Sequence, residues 1–332
     1  MKPYNEAADA LRRSLVTAGV ASLIARPALA LAQSDIVQLT VGFPPGGPSD
    51  IVARLLLDAG LGEAYGRRFI VDNRPGGGGM IAARRVARAA PDGHSFLMTP
   101  SFLLSNALVY AQPGYDPLKD FTPVGAIGSS YLVLAVHADA PFQGFADLAA
   151  HAREKGPEVS FVSPGAGSHH HLAGEGLNRS IGVRMTHVPY KGEAAALQDV
   201  LGRQATCGFF AIGLVQQHVG AGRLRLLAVA ALQRMPEVPN VPTLREAGAD
   251  HPLFDIVSWF GVFAPARTPD AIVRRLAQAL DAVLGKPAVA QRLAEFGIRP
   301  WRLAPEEFAG LLVRDLALWK KGIEATDVRL AL

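Results

Sequence analysis

Two hydrophobic periods alternate along this chain, one suited to strands and one to helices. Ile36, Val37, Leu39, Val41 and Phe43 predict a strand over residues 36–43, ended by Pro44-Pro45-Gly46-Gly47-Pro48. Ser49 and Asp50 are helix-capping types, and Ile51, Val52, Leu55, Leu56 and Ala59 follow at helical spacing. A second strand is predicted over 69–72, then Asn73-Arg74-Pro75 and a turn of four glycines. A helix follows over 80–90 and a third strand over 95–98. The alternation restarts with strands over 131–137, 159–162, 184–187, 207–211 and 224–230. Helices are predicted between them over 145–154, 172–180, 194–202 and 215–220. A proline-punctuated stretch over 235–243 reads as a crossing segment. A strand over 256–263 and long helices over 270–284 and 305–326 complete the chain. Strand–loop–helix alternation of this kind defines an α/β fold with a mainly parallel sheet. Two successive runs, with a tail able to rejoin the first, predict two lobes and a cleft. Ligands of open α/β sheets bind outside the carboxyl ends of the strands and at domain interfaces.

The N-terminus follows another logic. Arg12-Arg13 precede an uncharged stretch over 14–25, then Arg26-Pro27 and Ala28-Leu29-Ala30-Leu31-Ala32-Gln33. A positive start, a short apolar run and a small-x-small exit are the marks of a secretory signal, with cleavage expected after Ala32 and Ala30 as the alternative. The run is too short to span a bilayer. The competing reading is an amphipathic helix that is retained, and the export route, general or twin-arginine, stays open. The expected destination is the periplasm.

Of the 332 residues, 49% are hydrophobic and 19% charged, enough apolar material for a packed core and too much for a disordered chain. The formal charge of +4 is carried by scattered arginines with no basic stripe, so no nucleic-acid partner is expected. Cys207 is the single cysteine, which excludes an intrachain disulfide; its small and apolar flanks suit a buried inert thiol.

The loop over 43–50 carries the most chemistry. Its prolines stiffen it, Gly46 and Gly47 let backbone approach a ligand, and a helix opens directly after it. Free N–H groups and the positive end of the helix dipole there suit a carboxylate or phosphate. The bland alternative is a tight βα turn. It is not a P-loop, because no Gly-Lys-Ser/Thr follows. A second glycine loop, Ser163-Pro164-Gly165-Ala166-Gly167-Ser168, also lies between a strand and a helix, and Ser168 caps naturally. Placed on opposite lobes, the two loops would close on one anion. Gly76 to Gly79 reads as a turn, since no acidic residue stands where a dinucleotide site needs one. His169-His170-His171 invites a metal, but consecutive histidines on a helix point in different directions, so a polar cap is expected and no metal or cofactor. G-x-S-x-G, H-E-x-x-H and C-x-x-C are absent, leaving no hydrolase signature, although a triad assembled in space stays open. The chain is not expected to be an enzyme.

Further motifs follow in order. After Phe43-Pro44-Pro45-Gly46-Gly47 and Asp50-Ile51-Val52-Ala53-Arg54 come Asn73-Arg74-Pro75-Gly76, Ala90-Pro91-Asp92-Gly93, Tyr115-Asp116-Pro117 and Lys119-Asp120-Phe121. His171-Leu172-Ala173-Gly174-Glu175, Val188-Pro189-Tyr190-Lys191-Gly192 and Gly222-Arg223-Leu224-Arg225 lie further on. Val241-Pro242-Thr243, Glu246-Ala247-Gly248, Trp259 and Ala264-Pro265 close the series. Across essentially the whole mature chain this resembles the substrate-binding proteins of tripartite tricarboxylate transporters, also called Bug receptors. The resemblance implies a type II periplasmic-binding-protein fold, with two α/β lobes joined by crossing strands. It places a signal over 1–32, one lobe over 33–135 and 238–332, and the other over 136–237. It implies a monomeric receptor that closes on a small organic carboxylate and delivers it to the membrane permease subunits of such a transporter.

Carried over by position, one gripping loop is Phe43, Pro45, Gly46, Gly47 and Asp50, and the other is Gly165, Ala166, Gly167, Ser168 and His169. Thr99, Ser101 and Tyr190 are expected in the same cleft, and no arginine fork is needed. Thr206 stands where the family usually has an acid, which counts against a ligand with a free amine. His169 and His170 replace small hydroxyl residues, and Tyr131 replaces a small residue or proline. Two other readings compete: a carboxylate sensor docking on a signalling protein, and a periplasmic hydrolase built on the histidine cluster.

Overall fold

A computed structural model describes residues 36–326 and 328–330, so the expected signal over 1–32 lies outside the described residues. The chain first builds β1 (Ile36–Val41), α1 (Pro48–Asp58), α2 (Leu61–Tyr65), β2 (Arg68–Asn73), α3 (Met80–Ala87), β3 (Ser95–Pro100), α4 (Phe102–Val109) and β4 (Phe121–Ser130). It then lays down β5 (Leu132–His137), α5 (Phe145–Lys155), β6 (Ser160–Ser163), α6 (His169–Ile181), β7 (Thr186–Pro189), α7 (Glu193–Leu201), β8 (Cys207–Ala211), α8 (Ile212–Gly220) and β9 (Leu224–Ala230). It returns with β10 (Ser258–Pro265), α9 (Asp270–Leu284), α10 (Pro287–Glu295), β11 (Arg299–Leu303) and α11 (Pro305–Glu324).

Two sheets result, one ordered β11-β4-β10-β3-β1-β2 and the other β7-β6-β8-β5-β9. The βαβ units are parallel, as in β1–β2, β1–β3 and β6–β8. The strands that link the lobes run antiparallel to their neighbours: β10 against β3 and β4, and β5 against β8 and β9. The sheets are therefore mixed rather than mainly parallel.

Helices cover both faces of each sheet, which is why the central strands read as near-continuous apolar runs. In the first lobe Val37, Leu39, Val41, Leu56, Val262 and Leu280 fill one face, and Met80, Leu97, Trp259, Phe263, Phe308 and Trp319 the other. In the second lobe Phe209 enters one core and its neighbour Phe210 the opposite one, as the two-residue period of a strand requires. Cys207 is fully buried, and burial pushes its thiol up to about 12, so it is inert.

The crossings fall elsewhere than expected. β4 runs into β5 through Tyr131 alone, and all of β5 pairs in the second sheet, so the first crossing precedes residue 135. On the return, Val229 N–H donates to Pro242 O and Leu244 N–H to Val229 O, at 2.9 Å each. Leu244, Ala249 and Phe254 complete the second lobe's core while Leu253 enters the first lobe's. Residues 238–252 thus belong with the second lobe. The physical reason is an apolar edge on β9 that the proline-rich segment covers.

The strand pattern did not reveal α4, β4, α10 or β11. α4 buries Phe102, Leu103, Leu104, Ser105, Asn106 and Val109, so it shows no amphipathic stripe. β4 contains Gly125 and Gly128 because β11 lies against it. A Cβ at Gly128 would stand 2.8 Å from Arg299 O, and one at Gly125 3.0 Å from Leu303 O.

One buried charge in this core is testable. Trp259 Nε1 donates to Asp315 Oδ2 at 2.7 Å, and burial pushes the Asp315 carboxyl up to about 6 despite the indole and Arg314. The folded state therefore holds a proton that the unfolded chain releases near pH 3.8. That advantage is complete below this pH and is lost as pH rises through about 6. Asp315→Asn keeps an acceptor for the indole without the charge. Thermal unfolding is expected to show the variant on the order of 2–3 kcal/mol more stable than wild type at pH 7, with the gap closing by pH 4. A gap independent of pH contradicts this assignment.

Candidate functional site

The loop after β1 ends on Gly47, in extended conformation, with Pro48 opening α1. A proline at the first helical position sacrifices no intrahelical bond, and the next N–H groups have no intrahelical acceptor. Asp50 lies under this loop. Its Oδ2 accepts from Gly46 N–H and Arg54 Nε, both at 2.9 Å, and its Oδ1 from Asn73 Nδ2, also at 2.9 Å. Burial pushes this carboxyl up, but the hydrogen bonds from Arg54, Gly46 and Asn73 outweigh it and hold the group below the ordinary aspartate range. Asn73 Nδ2 also donates to Phe43 O at 3.1 Å, which ties the start of the loop to β2.

The facing loop follows β6. Gly165 and Gly167 take φ of 150° and 81°, values that favour glycine. Ser168 caps α6, accepting from His171 N–H at 3.2 Å and donating to Gly165 O at 2.7 Å. Gly167 N–H donates to His171 Nδ1 at 3.1 Å. His171 stacks on His187 with centroids 3.9 Å apart, and His187 Nε2 meets Ser163 Oγ at 2.7 Å. Burial keeps both rings neutral, lowering His171 to about 3 and His187 to about 4. A neutral His171 can accept the glycine proton.

The lobes meet along α4. Ser105 Oγ donates to Gly167 O at 2.9 Å, and Tyr110 OH to Ala166 O at 3.0 Å. Asn106 Nδ2 donates to Gly78 O at 3.0 Å, joining the glycine turn to the same helix. The Phe102 ring stands edge-on 5.9 Å from Phe43 on one side and 5.9 Å from His170 on the other, so a single ring links both loops. Elsewhere the lobes touch at Gly213 and Gly297, where a Cβ on Gly213 would fall 2.2 Å from Gly297 N. Arg299 reaches Glu237 at 2.9 Å and lies over the Tyr131 ring. The jaws are closed.

Around the first residues of β10 several buried polar atoms have no hydrogen-bond partner among the described residues. These are Ser101 Oγ, Ser130 Oγ, Asn106 Oδ1 and His170 Nδ1; His170 Nε2 stands 3.2 Å from Glu193 Oε1 but is not aligned for a hydrogen bond. Ser101 N–H donates to Trp259 O at 2.9 Å, Ser130 pairs in register with Ser258, and His169, the neighbour of His170, bonds Ser258. Ser101 and Ser130 thus flank the start of β10, while the His170 ring stands against Phe102, the residue after Ser101. Buried polar groups are costly unless satisfied, so these atoms make the junction a candidate binding site.

Of the expected residues, Phe43 touches Phe102, Ser101 opens α4, and Ala166 and Gly167 accept hydrogen bonds from α4; Ser168 caps α6, Thr99 is buried in β3, Pro45 and Gly46 are exposed, and Gly47 is half-buried. Four expected contacts are redirected. Asp50 uses both oxygens inside its own loop. His169 turns away from the cleft: Nδ1 meets Ser258 Oγ at 2.8 Å, Nε2 meets Leu253 O at 3.1 Å, and Trp319 covers the ring, so no nitrogen is left for a ligand. The Tyr190 hydroxyl bonds Asp199 on α7. Thr206 precedes β8, at the end opposite the loops, where its Oγ1 accepts from Ser160 N–H at 3.2 Å. Its replacement of an acid therefore says nothing about an amine in the cleft. The sequence reading also missed Phe102, Ser105, Asn106, Tyr110, Ser130 and Glu193. Ser105 and Asn106 within an otherwise apolar run were the available signal.

Two α/β lobes on two crossings, with a glycine loop from each at their junction, define a bilobal protein of the periplasmic-binding-protein class. The sequence profile of the tripartite tricarboxylate transporter family receptors, TctC, matches residues 52–328, and the chain belongs to that family. It is 36% identical over 281 residues to a UPF0065 protein encoded in the tcbD-tcbE intergenic region of Pseudomonas sp. strain P51, covering 85% of this chain and 83% of that one. Among solved structures it resembles R. palustris Rpa4515 with adipate (35% identity, TM-score 0.82, 89% and 98% of the two chains). It also resembles MatC (Rpa3494) from Rhodopseudomonas palustris with bound malate (32% identity, TM-score 0.80, 88% and 98%). Among the described residues no helix is long and apolar enough to cross a membrane.

Closure can be blocked at one atom. A Cβ on Gly167 would stand 2.9 Å from both Asn106 Oδ1 and Tyr110 Cε2 of the other lobe. Gly167→Asn, a residue that tolerates the left-handed backbone, is therefore expected to fold but not to close. Spin labels on Asp270→Cys and Glu154→Cys, with Cys207 too buried to label, report the separation of the lobes. The short-distance population seen without the Gly167 substitution should vanish in the variant, and identical distributions refute the contact.

Proposed function

We propose that this protein is a periplasmic receptor that holds a small organic carboxylate between its lobes and delivers it to a tripartite tricarboxylate-type membrane transporter. The observation that carries the reading is the set of buried, unpartnered polar atoms where α4 meets α6, beside the loop that leads into α1. Helix N-termini offer free N–H groups and partial positive charge, which suits a carboxylate without a cationic side chain. The ligands of two structural relatives, adipate and malate, are of this class. In this mechanism the acid contacts both loops at once, so it favours the closed state by its differential affinity for it. Ser101 and Ser130 supply hydroxyl donors, and Phe43 and Phe102 exclude water beside them.

Calorimetry with adipate, malate and the neutral adipamide tests the reading. At least one acid is expected to bind and the diamide to fail; tight binding of the diamide overturns the role given to the amide groups. Gly47 sharpens the test. Its φ of −80° is ordinary, and a Cβ there would meet only Pro44 O, at 3.4 Å. Gly47→Val should keep the wild-type unfolding temperature within a few degrees and lose about tenfold or more in affinity, because the side chain occupies the ligand's approach. Undiminished affinity removes the first loop from the site.

A further inference from the structure

We propose, resting on the receptor reading above, that His170 together with Glu193 selects an acid that also carries a hydrogen-bond donor, a hydroxyl or amino group. His170 is only 5% exposed, and its ring lies edge-on against Phe102 of the other lobe. Its Nε2 stands 3.2 Å from Glu193 Oε1, while Nδ1 has no partner among the described residues. Glu193 is 7% exposed and is fixed by the Ala211 N–H, which donates to Oε1 at 2.5 Å. The Glu193 carboxyl 3.2 Å from Nε2 favours the tautomer with its proton on that nitrogen, which leaves Nδ1 with a lone pair to offer. An acceptor buried between the two loops, backed by a fixed negative charge, is matched by a donor on the ligand. A plain alkyl acid would leave Nδ1 unsatisfied, a cost that a polar-reading site imposes on an analogue lacking the group. His169 cannot serve, since Ser258 and Leu253 take both its nitrogens.

Matched trios of acids test the selection by calorimetry: propanoate, lactate and alanine; succinate, malate and aspartate; adipate, 2-hydroxyadipate and 2-aminoadipate. In the trio of fitting length, wild type should bind the hydroxy or amino member about ten- to a hundredfold more tightly than the plain acid. His170→Phe, which keeps a flat ring and removes both nitrogens, should erase that ratio by weakening the hydroxy or amino member. Glu193→Gln keeps the shape and removes the charge; it should weaken the amino member more than the hydroxy member if the natural donor is an amine, and both alike if it is a hydroxyl. Circular dichroism checks that each variant is folded. A wild type that binds the acids without this preference, or a preference that survives His170→Phe, overturns the selection and leaves the receptor reading standing. A wild type that binds no carboxylate in any trio overturns both.

Discussion

In each gripping loop a glycine N–H is taken by the side chain four residues on: Gly46 by Asp50 and Gly167 by His171. The two acceptors differ in kind, one an ionised carboxylate and the other a neutral imidazole kept so by burial. They do the same work. Each removes one amide proton from the set available to a ligand and fixes the peptide planes beside it, so that the first turns of α1 and α6 present their remaining N–H groups in a set direction. A loop rich in glycine would otherwise lose much of its conformational entropy on binding. The braces place that loss in folding instead, and preorganised dipoles then act without rearrangement.

This arrangement explains which residues are close to the site and still not part of it. Asp50, Ser168 and His171 are consumed in bracing the loops. His169 is consumed in joining α6 to Ser258 at the start of β10 and to Leu253 beside the return crossing. It works as a strut between lobes, and its burial, which lowers it to about 3, keeps it neutral in that role. His170, one residue on, points a hundred degrees around the helix and meets Phe102 instead.

Much of this was legible in the sequence, for reasons that separate well. Strands and helices whose faces differ in polarity were readable, and so were both loops, because proline, glycine and a capping serine each act locally. α4 was not, because a helix buried on every side carries no period. β4 was not, because its glycines serve the close approach of β11, a long-range contact. Thr206 illustrates a different limit. Its position relative to a motif was known, but which end of β8 faces the cleft depends on strand direction, which only the assembled sheet decides. The choice between His169 and His170 likewise turned on a one-residue rotation that the sequence pattern does not resolve.

The contacts that close the jaws are few and individually small. The hydrogen bonds from Ser105 and Tyr110 contribute about 1 kcal/mol each in a typical protein setting. The Arg299–Glu237 pair is more than a third exposed on each side, and solvent screening reduces it to a fraction of that. Against them stands the burial of Ser101, Ser130 and His170 with polar atoms unmatched, each a cost of about 1–3 kcal/mol in the closed state without a ligand. The penalty is the larger side. On the receptor reading proposed above, a ligand satisfying the orphaned atoms decides closure, since it adds its own contacts and removes the penalty at the same time. Partial incompleteness of the closed protein is thus what lets the ligand control its shape, and a fully satisfied junction would shut with nothing inside.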